Sequence, residues 1–394
     1  MIKQLFAACF VLMSIVAAVK AVPAGYISEP VILSDPPTTQ SGVFSVDSMG
    51  RLYFGHATTD DSLRDPRTGR GASSEIWIWD SVNGGYSQFY DSPGTNPSIN
   101  SVAGIWIDEG TSPWTYFIAD QQPDPANPWT TGAVWIAQDL TGDGDIMDGG
   151  DRLDLLTVDT SVLVYISDII RDDITGEIYV TNAEGLMGNP MVYRLFDADS
   201  SGFIEASEMT AYYLLANNSA YAGGLTFGEG LDEIYTHEST GSVYRLRDLN
   251  DDGDALDSNE AILFASLPIA GAFDIESDPD GDLFVTASDW STYTHAIYEI
   301  TTSGSPVVTV FDDLTSAVGS MGGIAFGPGL HFEPAPVTQG ARLYLNYTTS
   351  SWTDPGQIGC YYGQPTGPVE TPTMGTWGIV LLIAGIGTML IRRS

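Results

Sequence analysis

The sequence predicts an all-β fold, a β-propeller of six four-stranded blades, and three observations predict it. Short alternating apolar strands recur in units of about 50 residues, the period and strand number of a propeller blade. Gly, Asp and Pro punctuate each run, as hairpin turns require. One acidic loop recurs at the same place in three successive units.

The third strand of each unit sets the register. Val134-Trp135-Ile136-Ala137-Gln138-Asp139, Val192-Tyr193-Arg194-Leu195-Phe196-Asp197 and Val243-Tyr244-Arg245-Leu246-Arg247-Asp248 align without gaps, each with an aromatic four residues before an Asp. Their closing Asp residues are 58 and 51 residues apart. Ile76-Trp77-Ile78-Trp79 and Ile297-Tyr298-Glu299-Ile300 are weaker copies on either side.

Two strands precede each copy. Val43-Phe44-Ser45-Val46 turns through Met49-Gly50 into Leu52-Tyr53-Phe54, and Gly104-Ile105-Trp106-Ile107 leads to Tyr116-Phe117-Ile118. Ser167-Asp168 leads to Ile178-Tyr179-Val180, Leu225-Thr226-Phe227 to Ile234-Tyr235-Thr236, and Phe273-Asp274-Ile275 to Leu283-Phe284-Val285. Blades therefore start near residues 43, 103, 163, 222, 272 and 322. In the sixth, Gly323-Ile324-Ala325-Phe326 is the first strand and Arg342-Leu343-Tyr344-Leu345 reads as the third. No fourth strand follows, and Tyr26 to Leu33 would supply it, closing the ring and removing open sheet edges. The propeller spans 22–352, with a Gly- and Pro-rich linker at 353–370. Its length suffices for one large core or two smaller ones. The same strands could also form a stacked array or a sandwich pair.

The loops after the third strands carry metal chemistry. The loop starting at Asp197 offers oxygen ligands from Asp197, Asp199, Ser201 and Glu205, the carbonyl of Phe203, and both carboxylate oxygens of Glu208, with Gly202 at the sharp turn. The loop starting at Asp139 offers Thr141, Asp143, Asp145, Asp148 and Asp151 besides Asp139. The one starting at Asp248 offers Asn250, Asp252, Asp254, Asp257 and Glu260 besides Asp248. Asp, Asn and Gly favour turns by themselves. A plain turn has no need of so many carboxylates, which repel one another unless a cation sits among them. Ca²⁺, a hard cation taking six to eight oxygens, is the expected cofactor.

The turn pattern Asp-x-x-Gly-x-Leu/Ile-Tyr/Phe-Val, seen at Asp173, Gly176, Ile178, Tyr179 and Val180, resembles that between the first two strands of NHL- and SMP-30-like propellers. The loop starting at Asp197 resembles an EF-hand loop over its twelve residues, with Ser201 where Asp or Asn is usual. A strand enters it, and the residues after Glu205 can form only a short exiting helix, so the resemblance implies structural rather than signalling calcium. The other two loops resemble those of dockerin-like extracellular modules, but place the closing acid at position 13 instead of 12, which leaves their last ligand open.

No catalytic residue is assigned outright. Aligned second strands bring His56, Asp120, Asn182 and Glu238 to one strand end. SMP-30-like lactonases hold a catalytic divalent metal with residues from comparable strand ends, so the resemblance implies an alternative active-site ring there. Strand ends meeting solvent are also polar without any such role. The sequence holds no nucleophile elbow, HExxH helix or phosphate loop.

The termini read as sorting elements. Residues 1–21 form a signal peptide, with Lys3, an apolar run and small residues at Val19-Lys20-Ala21, although a membrane anchor has similar content. Within 371–394, Trp377-Gly378, an apolar run and Arg392-Arg393 read as a transmembrane helix with the tail inside. Pro372, Thr373, Trp377 and Gly378 resemble the IPTL-CTERM signal of bacterial surface proteins, while Thr371 and Met374 depart from it. That resemblance implies a bacterial source and an exosortase-like processing enzyme as partner, with display at the surface or release. A plain tail anchor remains the alternative.

Past the signal peptide the chain has 12 Arg and no Lys against 51 Asp and Glu, a net charge of −39. No basic footprint exists for nucleic acid. Only Cys360 remains, so no intrachain disulfide can form and an exported domain must rely on its core and its ions. The expected function is an exported calcium-binding propeller acting as a binding or structural module for an extracellular ligand that the sequence leaves unknown. The alternative is a metal-dependent hydrolase or lactonase.

Overall fold

The computed structural model describes residues 26–31, 43–56, 75–80, 85–91, 99, 101–121, 132–158, 162–164, 166–182, 191–215, 222–228, 232–289, 291–315, 320–328, 341–348 and 356–363. The expected signal peptide and C-terminal sorting helix lie outside these residues. Among the described residues, no helix is long and apolar enough to cross a membrane.

Six four-stranded antiparallel sheets form the blades. The N-terminal strand is β1 (Tyr26–Val31), and blade 1 holds β2 (Val43–Val46), β3 (Arg51–His56), β4 (Glu75–Asp80) and β5 (Tyr86–Asp91). Blade 2 holds β6 (Val102–Asp108), β7 (Thr115–Asp120), β8 (Ala133–Gln138) and β9 (Arg152–Leu155). Blade 3 holds β10 (Ile166–Arg171), β11 (Ile178–Asn182), β12 (Met191–Leu195) and β13 (Met209–Leu214). Blade 4 holds β14 (Ala222–Phe227), β15 (Ile234–Glu238), β16 (Ser242–Leu246) and β17 (Ala261–Ser266). Blade 5 holds β18 (Ala272–Ser277), β19 (Leu283–Asp289), β20 (Thr294–Ile300) and β21 (Val308–Asp313). Blade 6 holds β22 (Ser320–Phe326), β23 (Leu343–Thr348) and β24 (Gly356–Gly363), completed on its outer edge by β1.

The first strands β2, β6, β10, β14, β18 and β22 touch in cyclic order, so the ring is closed around an axis. A stacked array or sandwich pair is excluded. Closure uses the N-terminal strand as expected: Tyr26 pairs with Gly363 and Val31 with Ile358, antiparallel. Two expectations for blade 6 need correction. Leu343–Thr348 is its second strand, and its third, Gly356–Gly363, falls inside the stretch expected to be linker. Gly and Pro around Ile358, Cys360 and Tyr361 suggested a spacer, but these three side chains are buried against blades 1 and 5.

The core is neither one nor two masses. Six apolar clusters lie one at each blade–blade interface, including Tyr53, Ile105 and Trp135 between blades 1 and 2 and Phe284, Phe311 and Leu343 between blades 5 and 6. The second strands, clamped on both faces, are buried along their whole length in β7, β11 and β15, the polar residues at their ends included. Fourth strands have a free edge and alternate with exposed residues, as Leu263 does in β17.

All six first strands carry a register shift against their second strands near the axis. A bulge frees backbone N–H and C=O groups that must find other partners. Side chains of the preceding blade supply them. Thr181 donates to Gly223 C=O (2.8 Å) and Thr286 to Gly322 C=O (3.0 Å).

Candidate functional site

The three acidic loops all connect the third strand of a blade to its fourth, in blades 2, 3 and 4. They share one backbone path. Position 4 lies in the left-handed region in each (Gly142, φ 79°; Ser200, φ 59°; Asp251, φ 59°), and so does position 6 (Gly144, Gly202 and Gly253). Glycine suits position 6 because a side chain there is strained whatever room surrounds it.

The first acid of each loop accepts from the N–H of that glycine: Gly144 to Asp139 (2.9 Å), Gly202 to Asp197 (2.9 Å) and Gly253 to Asp248 (2.7 Å). The closing acid clamps both ends. Glu208 accepts from Ala198 N–H (2.8 Å) with one oxygen and from Glu205 N–H (3.0 Å) with the other. Asp151 does the same with Leu140 (3.0 Å) and Asp148 (3.0 Å), and Glu260 with Leu249 (2.9 Å) and Asp257 (3.0 Å). The acids at position 13 therefore take the place of Glu208 at position 12, and the extra residue is absorbed before them. The expected exiting helix is one 3-10 turn, Ala206–Glu208.

Carboxylate oxygens from Asp143, Asp145 and Asp151 lie within 4.8 Å of one another, as do those of Asp197, Asp199 and Glu208. This oxygen-only donor set fits a hard cation. Hydrogen bonding with Asp143 and repulsion from it push the exposed Asp148 carboxyl up from its ordinary value, as crowded carboxylates require when nothing compensates them. In the third loop the Asn250 amide donates to Asp252 (3.1 Å) and Asp257 (2.8 Å). Ser201 turns its hydroxyl to the Phe203 carbonyl (3.1 Å), and the position-7 acids Asp145 and Asp254 accept from Met147 and Leu256 N–H. Thr141 and Glu205 stay at the loop surface beside Asp139 and Glu208.

Of the strand-end residues, the structure describes the local partners of Asp120, Asn182 and Glu238. The His56 side chain lies outside the described residues. Asp120 is buried and accepts from Ser101 N–H (2.9 Å) and the Trp135 indole (3.3 Å). Asn182 bonds the Tyr193 hydroxyl. Glu238 accepts from Thr240 (3.0 Å) and faces Tyr244, with its Oε1 buried and unpartnered. Each of these three thus faces the aromatic of its own third strand. Strand alternation accounts for this: the preceding residues Thr181 and His237 turn to the next blade, so the last residues turn back.

Sequence reasoning missed a different set of carboxylates. Asp168 on β10 accepts from Ile169 N–H (2.8 Å) and, across the interface, from Leu225 N–H of blade 4 (2.7 Å). Asp274 on β18 repeats this with Ile275 (2.9 Å) and Ile324 of blade 6 (2.8 Å). A Cβ on Gly104 or Gly224 would collide with these carboxylates. Glycine beside aspartate in alternate first strands was the available signal. Glu276 stands two residues from Asp274 on the same side of β18. All three retain some solvent access yet are enclosed by protein, and this burial, with mutual repulsion at Asp168 and Glu276, pushes their carboxyls up. Among the described residues, the metal-spaced groups of three lie in the loops, so these positions offer acid–base chemistry rather than a ready metal cage.

No protein-family model and no curated protein matches the chain. Solved structures do. A structural-genomics target provisionally named a gluconolactonase is 13% identical, covering 88% of this chain and 95% of its own, with a TM-score of 0.51. Regucalcin from Agrobacterium tumefaciens, a calcium-binding protein, is 12% identical, covering 88% of this chain and 98% of its own at 0.52. A carbohydrate-active enzyme of Trichoderma reesei, family AA12, is 11% identical, covering 87% of this chain and 97% of its own at 0.53. At such identities the likeness establishes the fold: the chain is a six-bladed propeller of the architecture these proteins share.

Proposed function

We propose that this chain is an exported calcium-binding propeller whose activity is hydrolytic, of the metal-dependent lactonase type found among SMP-30-like propellers. The observation that carries the hydrolytic reading is the fold match over most of the chain to a regucalcin and a gluconolactonase-type protein. Asp168, Asp274 and Glu276 support it by supplying carboxyl groups that burial holds above the ordinary carboxylate range, Asp274 at about 7. The calcium reading rests on the three loops of one backbone path, whose oxygen ligands suit Ca²⁺ at roughly 10⁻⁴ to 10⁻³ M, the range of extracellular modules.

A second reading, a binding or structural module, is favoured by the strand-end ring: Asp120 and Asn182 are held in structural hydrogen bonds. Hydrolysis of a panel of aldonolactones, with Ca²⁺, Mg²⁺, Mn²⁺ or Zn²⁺ added, separates the two. Turnover lost in Asp274→Asn supports the lactonase. No turnover above a heat-inactivated control with any metal leaves the binding module as the function. For calcium, calorimetry on the chain from residue 22 to 370 should show saturable binding, with about one site fewer in Glu208→Gln; no heat of binding removes the calcium reading.

Export to a bacterial surface, membrane attachment through the C-terminal segment and processing by an exosortase-like enzyme belong to the same proposal, supported by residues 1–21 and 371–394. Cell fractionation with an epitope inside blade 5 tests it, and a wholly cytoplasmic signal would refute it.

A further inference from the structure

The acidic loops share a contact that ligand geometry does not require. At position 8 each sends a backbone N–H sideways into the preceding blade: Ile146 to Phe89 C=O (3.0 Å), Ile204 to Leu156 C=O (2.8 Å) and Ala255 to Tyr212 C=O (2.8 Å). Val158 N–H returns a bond to Ile204 C=O (3.1 Å), and Thr157 pairs with Ile204 as an isolated parallel bridge. The side chains at position 8 are 2%, 2% and 1% exposed and belong to the cores between blades 1 and 2, 2 and 3, and 3 and 4. The corresponding connection of blade 5 closes on itself, Thr301 N–H donating to Val307 C=O (3.1 Å).

We propose that each loop is a fastener between neighbouring blades, so that cation occupancy of a loop and docking of its blade on the one before are a single linked equilibrium. This rests on the calcium reading of the loops. Position 8 can reach across only while the residues around it are ordered, and ordering them costs conformational entropy on top of carboxylate repulsion. A cation held by the first and closing acids offsets both costs at once. Linkage is reciprocal, so the docked interface in turn raises the affinity of the loop. Calcium then tightens three adjoining interfaces and leaves the rest of the ring indifferent to it.

Hydrogen exchange read by mass spectrometry on the full chain, with Ca²⁺ and with EGTA, tests this. Strand β5 is decisive, because blade 1 has no acidic loop of its own yet Phe89 receives the loop of blade 2. Protection of β5 should fall about fivefold or more on calcium removal, while β21 in blade 5 stays unchanged. Unchanged protection of β5 alongside calorimetric Ca²⁺ binding overturns the fastening and leaves the calcium reading standing; absence of binding overturns both. Ile204→Ala keeps every ligand oxygen and should weaken one of the sites about fivefold or more without touching the others. Three unaltered affinities would also overturn the proposal.

Discussion

Blades 3 and 5 are the same at the axis and different at the rim. On both first strands an aspartate, Asp168 or Asp274, gathers an N–H from its own strand and one from the next blade. On both second strands a threonine, Thr181 or Thr286, reaches the freed carbonyl of that next blade. At the rim, blade 3 joins its last strands with a twelve-residue acidic loop. Blade 5 uses a short turn pinned by Asp282, which accepts from Thr302 N–H (2.8 Å). The difference teaches that the axis is closed by hydrogen bonds, while the rim of blades 2, 3 and 4 is given to loops of clustered carboxylates, where the calcium proposal lies.

The largest effect expected to separate rim from axis is calcium removal. A site at ten times its Kd adds about 1.4 kcal/mol, so three sites add about 4 kcal/mol. Scanning calorimetry with EDTA should show a lowered Tm, and an unchanged Tm would erase the distinction.

The axis should instead show itself in pH. The Asp274 carboxyl is raised by burial to about 7. A raised acid contributes its full stability below its ordinary value of 3.8 and loses it as pH climbs through the folded value. Denaturant midpoints should therefore fall between about pH 4 and 7, by up to about 1.4 kcal/mol per pH unit, and Asp274→Asn should flatten this slope. An equal slope in the variant would remove Asp274 as its source.

Blade 4 breaks the resemblance between blades 3 and 5. His237 stands where they have Thr181 and Thr286, fully buried, with Nε2 accepting from Gly224 N–H (2.9 Å). Burial lowers it to about 4 from 6.5. A lowered base keeps its stability above 6.5 and loses it as pH falls toward 4, the opposite sense to Asp274. The loss is up to about 1.4 kcal/mol per pH unit, and His237→Thr should abolish it; persistence of the acid loss would assign it elsewhere.

The smallest effect belongs to the ion-independent turn. Asp282→Ala removes a half-buried acceptor and should cost about 1 kcal/mol, equally with calcium and with EDTA. A calcium-dependent cost would mean that blade 5 shares the linkage of the loops.

Local chemistry made much of this legible from the chain alone. Turn residues and strand alternation act over a few residues, so the blade count, the three loops between third and fourth strands, and the N-terminal strand that closes the ring could be read directly. What only the tertiary structure decided has a common physical cause. Gly356–Gly363 is a strand because β1 and β23 flank it, and β1 lies at the other end of the chain. The closing acids at positions 12 and 13 are equivalent because the backbone absorbs a residue, which spacing cannot reveal. Asp120, Asn182 and Glu238 meet the aromatics of their own third strands, and Asp168 and Asp274 reach the next blade, because side chains in a strand alternate with period two and one bulge moves every neighbour to the other face. Sequence fixes which residues a strand carries; packing of the next blade against it fixes where they point.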